Sequence, residues 1–182
     1  MFGKSHQQLH KPPTRVAVIK EHSFYILIAA DTDRARLAKP SAYQIAKYRL
    51  GRGEWGIRFR TRNRMALSPD DKVLIYVSGH REYRQSFIAH ATLASSAVRA
   101  PQVMQATIDA PDRTGNVPSE FVVALKEIRF FPNPVHINEL KHKFSFVRDP
   151  DSTKWGSCLQ GGTLRITEPD YNLVLSAGEG EG

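Results

Sequence analysis

The chain has a single cysteine, Cys158, in 182 residues. An internal disulfide and a multi-cysteine metal site are therefore both excluded. No apolar run reaches the roughly eighteen residues that a membrane-spanning helix needs. The longest uncharged apolar stretch, Phe24 to Ala30, has only strand length. Met1 to Lys20 lacks the apolar segment of a signal peptide and carries Lys4, His6, His10, Lys11 and Pro12-Pro13 instead. A cytoplasmic protein with no membrane attachment is the expectation. Acidic residues are also scarce, 18 Asp+Glu against 26 Lys+Arg, which leaves a net charge of +8 and a pI near 9.8. That balance favours a polyanionic partner, most simply nucleic acid; solubility alone is the alternative that composition leaves open.

The common enzyme signatures are missing as well. There is no G-x-x-x-x-G-K-[ST] phosphate loop and no G-x-S-x-G elbow. Gly51, Gly53 and Gly56 spell G-x-G-x-x-G, but they neither follow a strand nor open a helix, so the dinucleotide reading fails on context. The seven histidines are scattered without metal-ligand spacing. Nothing implies a metal or an organic cofactor. One nuclease-like pattern remains: Pro111-Asp112, or Pro69-Asp70, with Glu139-Leu-Lys141 could surround a scissile phosphate with two carboxylates and a lysine. E-x-K is common on any charged helix, so a metal-dependent nuclease or base-modifying enzyme is kept only as an alternative, beside a protein-interaction module.

What is present is a series of short β-prone runs. Phe24 to Ala30, Val73 to Ser78, Ser86 to Ser95 and Phe121 to Phe131 read as strands, the last ended by Pro132 and Pro134. Val16 to Ile19 could add a short one. Pro40 to Leu50 has helical spacing, and Thr167-Glu-Pro-Asp170 reads as a capped helix start. Trp155 to Ile166 is glycine-rich and irregular. The expected class is α+β, a small β-barrel or curled sheet of five or six strands with flanking short helices. Residues 1–22 form a basic tail or partial strand, 23–175 the domain, and 176–182 a flexible tail.

Charge is concentrated in one place. Between Lys47 and Arg64 there are seven basic residues and one acid, Glu54. Trp55 to Asn63 alternates, so Trp55, Ile57, Phe59 and Thr61 share one face of an expected strand, and Arg58, Arg60, Arg62 and Arg64 the other. Successive arginines on such a face lie about 6.6 Å apart, a stripe able to follow a phosphate backbone. A solvated outer face is the plainer reading of the same pattern. Trp55 and Trp155, each followed by glycine, and Tyr76, just before Ser78-Gly79, could wall a site for a flat base. They could equally be core.

In order along the chain, these segments resemble the EVE domain family, a branch of the PUA-like superfamily that also holds YTH and ASCH domains. The resemblance rests on Phe24-Tyr-Ile-Leu-Ile-Ala-Ala30, Trp55-Gly-Ile57, Leu67-Ser-Pro-Asp-Asp-Lys-Val73 with Leu74-Ile-Tyr-Val-Ser-Gly79, and Phe87-Ile-Ala-His-Ala-Thr-Leu93. It continues through Phe144-Ser-Phe-Val147, Lys154-Trp-Gly156, Gly161-Gly-Thr-Leu-Arg-Ile166 and Glu168-Pro-Asp-Tyr171. The chain departs from the family in having Asp70-Asp71 where glycine usually precedes the aspartate, in opening with Phe24-Tyr25 rather than tryptophan, and in a longer Arg99 to Pro118 loop. The resemblance implies a PUA-like barrel and a non-enzymatic reader that binds DNA or RNA without a cofactor. It holds one flipped, modified base, alone or beside a restriction or nuclease partner. Carried over by residue, the base pocket is Ala29, Ala30, Asp31, Trp55, Tyr76, Ser78, Gly79, Trp155 and Gly156. The backbone contacts are Arg58, Arg60, Arg62, Arg64 and Lys154.

Overall fold

A computed structural model describes residues 21–31, 40–100 and 119–180. Val16 to Ile19 and Asp112 fall outside that set. Among the described residues seven strands form one curled sheet: β1 (Phe24–Ala29), β2 (Glu54–Ile57), β3 (Lys72–Val77), β4 (Ser86–Leu93), β5 (Val98–Arg99), β6 (Phe121–His136) and β7 (Thr163–Ile166). The spatial order is β2-β6-β4-β3-β1-β7, with β5 also on β6. β1 runs parallel to β3 and every other pairing is antiparallel. Among the described residues two α-helices, α1 (Ala42–Gly51) and α2 (Glu168–Glu179), complete the α+β fold expected from the sequence. No helix among the described residues is long and apolar enough to cross a membrane.

β1 is apolar at every position, and so is β3 from Val73 on, because both faces of the sheet are covered there. Tyr25, Leu27, Val73, Ile75 and Val77 join α1's Ala42, Ala46 and Leu50 in one core. The alternate residues Ile26, Ile28, Leu74 and Tyr76 join α2's Tyr171 and Val174 in a second. That is the period-two rule applied to a doubly buried sheet. Both helices start on capping boxes, Ser41 with Gln44 and Thr167 with Asp170.

Four expectations are corrected. β2 stops at Ile57, so the strand to Asn63 does not form. Its partner β6 begins at Phe121, opposite Ile57, and leaves the next residues without a ladder to join. The chain turns there, with the Thr61 N–H donating to the Arg58 carbonyl and Asn63 in the left-handed region. Pro132 and Pro134 do not end β6. They sit where its register against β4 shifts, between Phe87↔Val135 and Ala89↔Phe130, so their missing N–H groups fall in a bulge. The irregular stretch after Gly162 is a strand, β7, paired with β1. Finally, Ser176 to Glu179 is the last turn of α2 rather than a flexible tail.

Candidate functional site

The sheet's two outer strands, β2 and β7, are far apart in strand order but meet through their loops. The Thr163 hydroxyl donates to the Arg62 carbonyl. Gly162, at φ +85°, brings its backbone against Thr61 and accepts from the Ile28 N–H at 3.0 Å. That positive φ disfavours other residues. A cavity of about 660 Å3 lies at this seam.

Each wall has a local origin. Ala30 and Asp31 follow β1, and Ser78 follows its parallel partner β3, whose N–H donates to the Ala29 carbonyl at 2.8 Å. Parallel pairing is what places these two strand ends side by side. Helix α1 contributes Ile45 and Arg49, four residues apart and so on one face. β2 and the turn after it contribute Trp55, Ile57, Arg58 and Arg60. Gln160 and Gly161, beside that turn, complete the lining.

The electrostatics are lopsided. Three arginines, Arg49, Arg58 and Arg60, line the cavity against one carboxylate, Asp31. That carboxylate is already engaged: Oδ1 accepts from the Ala42 N–H at 2.7 Å and Oδ2 from the His80 N–H at 2.8 Å. Ala42 is the first residue of α1, so Asp31 also meets the positive end of the helix dipole. The Arg49 guanidinium stands over the Trp55 ring, 5.1 Å from its centroid, a cation–π contact that presents a flat cationic surface. The turn is held in shape by Glu120, whose Oε2 accepts from the Phe59 N–H at 2.8 Å.

The residues singled out from the sequence separate into groups. Ala30, Asp31, Trp55, Ser78, Arg58 and Arg60 come together at the cavity. Ala29 and Gly79 lie behind it, buried. Tyr76 points to the other face of the sheet, packed 5.1 Å from Phe87, where burial pushes its hydroxyl well above the usual tyrosine range. Trp155 sits in a 3₁₀ turn (Trp155–Leu159), half-buried against the α2-side core with Lys141 Nζ 5.8 Å from its ring centroid. Gly156 has open space around it and Lys154 is exposed. None of Tyr76, Trp155, Gly156 or Lys154 lines the cavity, because parity and the 3₁₀ turn carry them elsewhere. Arg62 packs beside Gly161. Arg64 lies over Phe121 at 3.9 Å and Phe59 at 5.4 Å. The four arginines are thus not one stripe.

Sequence reasoning missed Ile45, Arg49, Ser119 and Gln160–Gly162. Arg49 was legible in part, as the helix residue one turn after Ile45. Glu139, half of the nuclease-like pattern, is an exposed residue of a 3₁₀ turn (Ile137–Glu139). Among the described residues no three His, Cys, Asp or Glu side chains form a group able to hold a metal ion.

Several solved structures share this fold. A hypothetical protein from Leishmania major is 20% identical, with a TM-score of 0.55 over 87% of this chain and 96% of that one. The human THYN1 protein, in complex with 5-methylcytosine-containing DNA, is 18% identical, with a TM-score of 0.55 over 88% and 99%. A protein from Pseudomonas syringae is 12% identical, with a TM-score of 0.55 over 85% and 99%. No curated protein matches the chain. The family model described as EVE domain matches residues 37–177. These residues run from just before α1 nearly to the end of α2 and take in six of the seven strands, so this chain belongs to the EVE domain family.

Proposed function

We propose that this EVE domain is a non-enzymatic reader of nucleic acid that holds one modified base in the seam cavity. The observation that carries the reading is the cavity's composition: a buried tryptophan wall, three arginines and a single carboxylate already held by backbone amides. Its volume of about 660 Å3 lies within the ~300–1,000 Å3 usual for ligand sites. The family membership and the DNA-bound human relative of the same fold support a nucleic-acid partner.

In this reading the base enters between Trp55 and the ends of β1 and β3, where Asp31 and Ser78 offer polar groups to its edge. Arg49 stacks on the ring system, and Arg58 and Arg60 hold the flanking phosphates. The stacking surface is the Arg49 guanidinium, backed by the buried Trp55 ring, rather than a cage of three rings. Flipping a base costs a few kcal/mol, and one stacking contact returns roughly 1–3 kcal/mol. The arginine contacts to phosphate supply the remainder.

The test is binding of short DNA and RNA oligonucleotides carrying cytosine, 5-methylcytosine, 5-hydroxymethylcytosine or N6-methyladenine, at two salt concentrations. The expected result is salt-sensitive binding that favours one modified base. Equal, weak binding to all of them would overturn base reading and leave only a basic surface.

A further inference from the structure

Helix α1 has a second working flank. Ile45 and Arg49 face the seam cavity, while Tyr43 and Lys47, also four residues apart, line a separate groove of about 300 Å3. Tyr83, from the loop after β3, forms its second wall, with the two tyrosine rings 4.6 Å apart. Phe130, Pro132 and Pro134 of the β6 bulge form the third. Tyr83 and Phe130 are 47% and 48% exposed, so two large aromatic faces stand in water. Tyr83 also adopts φ +50° and Gln85 φ +55°. A bulky residue is held in that region only against a steric cost, and such sites cluster where function needs the side chain displayed. Phe130 is the last residue paired with β4 before the register shift that holds Pro132 and Pro134.

The groove has one charged lining residue, Lys47, which is exposed, and no acid. Solvent-facing aromatic rings beside a cation, on a chain of net charge +8, match the stacking platforms that bind single-stranded nucleic acid. The groove and the cavity share one helix, and a helix with its side chains is only about 10–12 Å across. We propose that this groove stacks a base of the single-stranded flank of the same nucleic acid whose modified base occupies the seam cavity. The inference rests on the reader function proposed above and adds a second contact point to it.

The test compares a trinucleotide and a fifteen-nucleotide single-stranded DNA, both with central 5-methylcytosine, dye-labelled and titrated with the full chain and with Tyr83→Ala and Phe130→Ala. Both side chains are half exposed, and a thermal melt of each variant reports that the fold is intact. For the unaltered chain, the longer strand is expected to bind about tenfold more tightly than the trinucleotide, in line with one stacked base. Each variant should lose most of that gain and keep its affinity for the trinucleotide. A length-dependent gain that survives in both variants would assign it to charge alone and overturn the stacking groove. Tight binding of a proline-rich peptide to the groove, with strand affinity unaffected by the variants, would overturn it in favour of a protein partner. Failure of the unaltered chain to bind either strand with any of the four bases of the panel above at its centre would overturn the reader function itself, a result distinct from either of these.

Discussion

Asp31 and Gly79 are fitted to each other: a Cβ on Gly79 would lie 2.6 Å from Asp31 Oδ1, and 2.9 Å from Ala42 Cβ. The same carboxylate binds the amides of Ala42 and His80. One acid thus ties the end of β1 to the start of α1 and to the chain leaving β3, which are three walls of the cavity. Gly79→Ala should destabilise the domain by about 1–3 kcal/mol through overpacking and weaken nucleic-acid binding. The measurement is a double-mutant cycle with Asp31→Ala by denaturant unfolding. The combined loss should be smaller than the sum of the two single losses, because removing Asp31 removes most of the clash.

Arg58 and Arg60 line the cavity, whereas Arg64 is stacked on Phe121. The double substitution Arg58→Ala with Arg60→Ala should weaken all sequences alike. It should also reduce the slope of log affinity against log salt by about 2 on duplex DNA. Arg64→Ala should leave that slope nearly unchanged and lower thermal stability instead. Equal slopes in both variants would contradict the assignment.

The two tryptophans should behave differently. Trp55 is 1% exposed and backs the cavity from the α1-side core, with Arg49 over its ring, so Trp55→Leu should weaken discrimination between modified and plain bases by releasing Arg49, and lower thermal stability as well. Trp155→Ala should leave discrimination intact, since that ring packs on the α2-side core. Competition binding with matched oligonucleotides separates the two.

Asp170 is a pH-linked clasp. It caps α2, accepts from the Ser145 N–H at 2.8 Å and hydroxyl at 2.6 Å, and accepts from the Thr167 hydroxyl at 2.7 Å. Burial opposes its charge, but the hydrogen bonds from Ser145 and Thr167 prevail and hold the carboxyl below the usual aspartate value. A lowered folded-state pKa stabilises above the unfolded value and loses that stabilisation as pH falls through the folded one. Acid unfolding below about pH 4 should therefore be shallower in Asp170→Ala. At neutral pH that variant should be less stable by about 1–3 kcal/mol. Urea melts across pH 2.5 to 7 would check both.

Much of this was legible from local chemistry. Apolar runs such as Phe24 to Ala29 and Val73 to Val77 could be little else than buried strands. Thr167 to Asp170 marks a helix start in the sequence itself, whereas the helical spacing of α1 begins at Pro40 and the structure puts its cap at Ser41. Even the departure at Asp70 has a local meaning: its φ is +72°, the region where the family's glycine is at no cost. Asp70→Gly should accordingly hold or raise the melting temperature although it gives up the Lys126 ion pair.

Sequence alone determined the curled α+β sheet, the basic surplus and the segment in which that surplus is concentrated, because these follow from residue type and short-range periodicity. Tertiary structure decided which of those residues meet. Alternation from Trp55 to Asn63 promised an arginine stripe, but a strand persists only where it has a neighbour, and β2 has none past Ile57. Tyr76 looked equivalent to Trp55 as an aromatic beside glycine or serine, yet its parity in β3 turns it away from the cavity and into the second core. Arg49 enters the site only because α1 lays it across Trp55, and Gly161-Gly162 only because β7 closes the seam against the turn after β2. Contacts between residues a hundred positions apart leave no trace in local pattern, since they are set by how the sheet curls rather than by any one segment's preference.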